Sequence, residues 1–434
     1  MFLFSDEVEY GCTACGQCCR ERWRVPLDAL TREGLGKRDW KGTLLEAKAK
    51  SDPEFFVQDA PTLSTGAAFR TSEGACTLLG EDGLCTAHRL YGPQAKGVVC
   101  RLFPYLFVEA PEGVYTGYSF CCRPVRHPAE LAATGRAWEE SVASVYDEAK
   151  GFSSSVHYQV APKRVALTPT VEIPWDGYLQ LETGLLYLLN RPERPLAFHL
   201  IAGHVYLTLA GLFLEEFRDQ DEDSLRGKVA HYVERMRSEN FGRVDRIAQR
   251  GRGRMGVRRY VLSVMLGLHE SGMIARQKRD ARGGPGMISR WNLFRGTIRH
   301  FFERRSKTMP SQEVFAPLVG RYFRHVIWRK GLALGRSLYR LGGLTREYAM
   351  LLIEYALLEY FAGKLAADRG DEEATSEAIR IVERDFVLHA GRDVVGPAEE
   401  DRDAFELFLG LFDSLVGSKA FAPSIVGLKS NQET

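Results

Sequence analysis

The chain has 434 residues, 45% hydrophobic and 26% charged, with a formal net charge of +2. That length exceeds what one hydrophobic core usually organises, so two domains are expected. The near-neutral balance excludes a global electrostatic pull toward nucleic acid or an anionic membrane.

The opening, MFLFSDEVEY, has neither a basic segment nor a long apolar run. No secretory leader is expected, and the cytoplasm is the predicted compartment. Periodicity along the chain predicts a mainly α protein. A small irregular α+β cysteine-cluster domain over 1–150 precedes a larger all-helical domain over 151–434.

All nine cysteines fall between Cys12 and Cys122. Their number is odd and a reducing cytoplasm disfavours disulfides, so metal or cluster binding is the expected use. The first group is Cys12, Cys15, Cys18 and Cys19, spaced C-x2-C-x2-C-C. A C-x2-C step lets one loop deliver two sulfurs to a single centre, and Gly11 and Gly16 permit the tight wrapping this needs. Adjacent side chains diverge, so one of Cys18 and Cys19 is expected to serve another site or a supporting role. The same reasoning applies to Cys121 and Cys122.

Helical spacing marks 43–50, and short β-type runs mark Ala67–Arg70 and Cys76–Leu79. Between Cys76 and Cys85, Glu81-Asp82-Gly83 reads as a turn that folds one cysteine back on the other. His88 stands three residues after Cys85, a usable ligand spacing that equally suits a capping role. Cys100 follows. A hairpin is predicted from Tyr105 to Ala110, through Pro111-Glu112-Gly113, and back along Val114 to Phe120. Helical spacing resumes over Leu131–Lys150, and Gly151–Pro174 reads as the linker.

Seven to nine thiols suffice for two four-coordinate sites or for one cluster with spare thiols. Tetrahedral zinc and a [4Fe–4S] cluster each take four such ligands. Sparse histidine favours iron–sulfur, although the ferredoxin x3-C-P continuation is missing. C-x-x-C-H, the signature of covalent haem, is absent as well.

Beyond the linker, helices are expected near 175–190, 196–218, 223–239, 255–275, 288–306, 312–340, 345–369, 372–390 and 400–416. The stretch Ala197–Leu214 barely reaches membrane-spanning length and carries His199 and His204. A buried core helix is therefore predicted, with no membrane span. Residues 418–434 read as a frayed tail. Between Arg243 and Lys307 there are 17 Lys/Arg against 4 Asp/Glu, and between Glu354 and Glu406 the balance reverses to 15 acidic against 6 basic. Solvated faces are the simplest reading; the sharper one is a basic surface for an acidic protein partner, phosphate or RNA. No DNA- or RNA-binding signature accompanies it.

The ordered set Cys12-Thr-Ala-Cys15-Gly-Gln-Cys18-Cys19, Gly74-Ala-Cys76, Gly83-Leu-Cys85 and Cys100-Arg-Leu-Phe-Pro104 resembles the CxxCxxCC zinc- or iron-chelating family. These are the YkgJ-type cysteine-cluster proteins, related to flagellin lysine N-methylases. The resemblance covers roughly residues 10–125. It implies a cluster held by Cys12, Cys15, Cys18 or Cys19, Cys76, Cys85 and Cys100, with Arg101 and Pro104 shaping the last ligand loop. Its methylase branch implies a protein substrate and S-adenosylmethionine. Tyr91-Gly-Pro93 stands where many members carry Arg-Pro, so the metal role carries over more directly than methylation. Metal binding is the leading functional expectation, lysine N-methylation the alternative, and metal- or redox-sensing interaction the third.

No Walker loop, G-x-S-x-G or H-E-x-x-H occurs, and Gly251-Arg-Gly-Arg-Met-Gly256 reads as a basic loop rather than a cofactor turn. Glu354 and Glu359 are five residues apart and point about 140° from each other on a helix. They are expected to be solvated or salt-bridged. The dense stretch Tyr322, Arg324, His325, Trp328, Arg329 and Lys330 is expected to pack with snorkelling cations.

Overall fold

The computed structural model describes residues 1–21, 25, 27–40, 56–58, 67–69, 71–72, 74–134, 141–152, 157–250, 261–262, 265–266, 310–334, 342–388, 416 and 421–426. The helices expected at 43–50 and 288–306 lie outside these residues, as do the glycine–arginine loop, most of 255–275 and all of 400–416 but residue 416. The protein is mainly α with a small amount of sheet. It divides into two units, Met1–Val160 and Ala161–Thr434.

The first unit runs past residue 150 because its last strand belongs to its main sheet. That sheet contains β1 (Phe2–Leu3), β6 (Tyr105–Ala110), β7 (Gly113–Tyr118) and β8 (Tyr158–Val160), in the order β1-β7-β6-β8. The expected hairpin forms with Tyr105 opposite Tyr118 and Ala110 opposite Gly113, closing through Pro111 and Glu112. The outer strands β1 and β8 pair parallel to their neighbours. Tyr105, Phe107 and Val108 are buried, and Tyr10 packs on the rings of Tyr105 and Tyr118 at 5.3 and 5.5 Å.

A second cluster in this unit comprises Leu27, Leu35, Trp40, Phe69, Leu78, Ala87 and Ala95, with Cys76, Cys85 and Cys100 packed against it. Its elements are short: α1 (Gln17–Arg20), α2 (Ala29–Gly36), β2 (Phe56–Gln58), β3 (Ala67–Phe69), β4 (Thr71–Ser72), β5 (Ala75–Cys76), α3 (Thr86–Tyr91) and α4 (Val98–Leu102). Asp28 links two of them. Its carboxylate caps α2 through the Thr31 amide at 2.7 Å and accepts the Val98 amide at 3.4 Å. After a short α5 (Arg123–Arg126), the helical run expected at 131–150 is observed as α6 (Pro128–Thr134) and α7 (Val142–Gly151) around an undescribed interval.

The second unit is not all-helical. It opens on an antiparallel pair, β9 (Arg164–Ala166) and β10 (Glu172–Pro174), where a linker was expected. Val165, Leu167, Val171 and Ile173 are all buried, and their alternation is what makes the segment a strand pair. Helices follow: α8 (Trp175–Leu189), α9 (Leu196–Glu215), α10 (Glu222–Ser238), α11 (Gly242–Arg250), α12 (Gln312–Trp328), α13 (Gly331–Leu334), α14 (Leu344–Arg369), α15 (Asp371–Val382) and α16 (Phe421–Val426). A π-helical turn, Glu383–Leu388, extends α15. The charged sequence of α11 hid it: only Val244 and Ala248, one turn apart, are buried.

Helix α9 is apolar on every side and is the described helix long and apolar enough to cross a membrane. Its apolar window is 67% buried within the unit, as a core helix requires. Gly203 lets it approach α14, since a Cβ there would lie 2.1 Å from the Tyr348 hydroxyl oxygen. Helix α16 falls in the segment expected as a frayed tail. Instead Phe421, Ala422, Ile425 and Val426 are buried, and the Phe421 ring lies 6.1 Å from His204.

Glu354 and Glu359 are 3% and 6% exposed on α14, which excludes the solvated one of the two alternatives expected for them. The cations after α12 do not snorkel, contrary to expectation. Arg329 pairs with Glu383 at 3.0 Å, both buried, while Lys330 pairs with Glu182 of α8, which also accepts the Tyr178 hydroxyl. Lys330 takes a left-handed backbone (φ 66°), so the expected 312–340 helix breaks there. A β-carbon residue adopts that conformation only where its surroundings over-determine it.

Candidate metal centre

The nine cysteines all carry free thiols and all belong to the first unit. Their placement begins with two tight backbone features. Ala14 and Gly16 both take left-handed conformations (φ 55° and 68°), which wraps Cys12–Cys19 into a compact loop ending in α1. Gly83, also left-handed (φ 79°), turns the 79–85 segment so that Leu79 bridges to Cys85.

These two turns pack on each other. A Cβ on Gly83 would lie 2.2 Å from the Ala14 carbonyl oxygen, and one on Gly16 would lie 3.1 Å from the Gly83 carbonyl oxygen. No side chain other than hydrogen fits at Gly83. Helix α1 packs on β5, which carries Cys76 opposite Thr71. Cys85 caps the start of α3 and Cys100 sits on α4. Thus Cys76, Cys85 and Cys100 pack against the second core cluster, and the Cys18 helix packs on the strand of Cys76.

The electrostatics divide the thiols. Cys18, Cys76, Cys85 and Cys100 each interact with the other three. Cys15 interacts with Cys18 and Cys12, and Cys122 with Cys18 and Cys15. Of each adjacent pair, one thiol joins the group. Cys18, exposed on α1, interacts with the others, whereas Cys19 hydrogen-bonds to Cys18 from the neighbouring position of α1. Cys122 caps α5 and faces the group. Cys121 is fully buried, its amide held by Ser119 Oγ at 3.1 Å. Arg126 fixes this corner by donating to the carbonyls of Phe120 and Cys121 at 2.6 and 2.8 Å.

Burial pushes the Cys76 and Cys100 thiols up to about 12 and raises those of Cys85 and Cys122. Cys18 is raised first by its hydrogen bond with Cys19. Backbone amides oppose the trend: sulfurs accept N–H bonds from Gln17 at Cys15, Leu78 at Cys76, His88 and Ala87 at Cys85, and Val125 at Cys122. Such bonds stabilise thiolate once a cation displaces the proton. Burial, and then Lys96, hold the His88 imidazole below its ordinary range, which leaves it neutral at pH 7.

This donor set fits a soft, thiolate-bound group in its chemistry and its convergence. Among the described residues, no group of three or more Cys, His, Asp or Glu side chains has drawn together to ligand spacing. Sequence reasoning missed Lys96, Arg126 and Tyr10. The Tyr10 hydroxyl is raised well above its usual value by burial, with Cys122 and Cys12 adding to it. Neither Lys96 nor Arg126 carries a spacing signal, and Tyr10 offers only its position two residues before Cys12.

No protein-family model matches the chain, and neither a curated protein nor a solved structure matches it.

Proposed function

We propose that the first unit binds a metal through thiolates, as an iron–sulfur cluster or a zinc ion held by Cys18, Cys76, Cys85 and Cys100. What supports this is the convergence of segments distant in sequence: Cys76, Cys85 and Cys100 pack against one hydrophobic cluster, and α1, which carries Cys18, packs on the strand of Cys76. Cys12, Cys15 and Cys122 border the same group and would supply further ligands or a second site. Four thiolates are the ligand number that both zinc and [4Fe–4S] require. An iron–sulfur cluster would supply one-electron chemistry; zinc would hold this loop-rich unit together. Free thiols throughout agree with a reducing compartment, and the cytoplasm is the location proposed.

The test is elemental analysis and visible absorption of anaerobically purified full-length protein, repeated on a cysteine-to-serine series. Cys18→Ser, Cys76→Ser, Cys85→Ser and Cys100→Ser should each lose the metal, whereas Cys19→Ser and Cys121→Ser should retain it. A brown protein with iron and sulfide identifies the cluster; a colourless one with stoichiometric zinc identifies the ion. Wild-type protein free of both would sink the reading.

A further inference from the structure

Helix α4 (Val98–Leu102), which carries Cys100, has five residues. A helix of that length is not stable in isolation in water, so whatever holds it also sets the place of its cysteine. Two carboxylates from other segments hold it. At its start, the Val98 amide donates to Asp28, the cap of α2, at 3.4 Å. Near its end, Arg101 donates through Nε to both carboxylate oxygens of Glu148 on α7, at 2.9 Å each. The two side chains are 10% and 24% exposed, so salt and water screen the pair weakly.

The same guanidinium also grips the segment that precedes the helix. Its Nη1 donates to the carbonyl of Lys96 and, at 3.4 Å, to that of Gln94. Between them lies Ala95, a member of the hydrophobic cluster on which Cys76, Cys85 and Cys100 pack. One arginine therefore ties the helix of Cys100 to a loop that forms part of the wall behind it. Arginine suits that role because its planar fork donates in several directions at once. Helix α7, which supplies Glu148, is braced in turn. Val145 and Ala149 are buried, and Tyr146 and Lys150 donate to Glu109 of β6 at 2.8 and 3.1 Å. The support thus runs from the sheet through α7 and Arg101 to the backbone on either side of Cys100.

We propose that Glu148 is a positioning residue for the thiol site: through the Glu148–Arg101 clamp it fixes the helix and the loop that flank Cys100, and so presents that thiol in a set geometry. This rests on the metal-binding reading above. A ligand already in place loses little conformational freedom when the metal binds. Removing such outer support weakens metal binding by about 10- to 100-fold in known sites. Glu148 follows Arg101 by 47 residues and touches no thiol-bearing segment except through that arginine's helix and loop, so its effect on the site is indirect.

The test compares wild type, Glu148→Ala, Glu148→Gln and Arg101→Lys as full-length proteins. Hydrogen exchange of the metal-free proteins reads the clamp: Glu148→Ala should speed exchange over 94–102 and leave 85–91, the Cys85 segment, unchanged. Chelator challenge reads the site, with zinc(II) and with ferrous iron plus sulfide reconstituted anaerobically as the two probes. With whichever probe the wild type retains, Glu148→Ala and Arg101→Lys should weaken retention about ten-fold or more. Glu148→Gln, which keeps an acceptor but no charge, should fall between them and wild type. Unchanged exchange over 94–102 overturns the clamp. Faster exchange there with retention equal to wild type overturns the positioning role while leaving metal binding standing. Exchange that rises equally throughout the first unit also overturns it, because Glu148 would then support the fold as a whole. Should Glu148→Ala fail to fold, Glu148→Gln and Arg101→Lys carry the same comparison. A wild type that retains neither probe overturns both readings.

Discussion

Gly83→Ala is the sharpest test of how the thiols are brought together. The residue's left-handed backbone costs an alanine about 1–2 kcal/mol. The added methyl would also stand 2.2 Å from the Ala14 carbonyl oxygen, a rigid backbone atom that cannot rotate away. Relieving that overlap by moving the loops apart costs about 1–3 kcal/mol more, the usual range for overpacking. The movement separates the Cys12–Cys19 loop from Cys76 and Cys85, so metal retention should fall together with stability. Thermal unfolding of metal-free protein and chelator competition of loaded protein measure the two effects. For a unit of this size each kcal/mol corresponds to about 2–4 °C. Gly83→Ala should unfold below wild type and lose metal more readily; equal midpoints with equal metal retention would refute the loop-on-loop geometry.

Two further predictions concern the helical unit. Lys330→Met should destabilise it by about 3–5 kcal/mol, because it removes the ammonium that pairs with the buried Glu182 carboxylate. Lys330→Met combined with Glu182→Leu should recover much of that loss, and a single mutant indistinguishable from wild type in urea denaturation would contradict the buried pair. Acidification should also weaken this unit. Burial holds His204 and His199 at about 4, below the unfolded value near 6.5, so the unfolded chain takes up protons first as pH falls. Stability is then full above about 6.5 and declines until about 4, by roughly 2 kcal/mol per histidine between pH 7 and pH 5. Urea midpoints at the two pH values check this, with His204→Gln expected to flatten the slope; a wild type equally stable at both would be inconsistent with neutral buried histidines.

What the sequence determined by itself is local. The 3.6-residue apolar period located α8, α9, α10 and α14 to within a few residues, because each buries a stripe or a whole surface. The 105–118 hairpin was equally legible, since its alternation and its turn lie within one short segment. The C-x2-C steps marked the thiol-bearing loop for the same reason: neighbours along the chain must be neighbours in space.

Tertiary structure decided everything that depends on distant partners. Adjacent thiols are equivalent as text, and only the packing of α1 on β5 sets Cys18 rather than Cys19 among the others. The Glu148–Arg101 clamp joins residues 47 apart, and the Lys330–Glu182 pair joins residues 148 apart. Glu354 and Glu359 read as either solvated or salt-bridged, and only the fold shows that they are buried. Short-range patterns record the conformational preferences of a few consecutive residues. Desolvation and ion pairing instead depend on which segments fold against one another, and here that decided which thiols meet and which charges are buried with them.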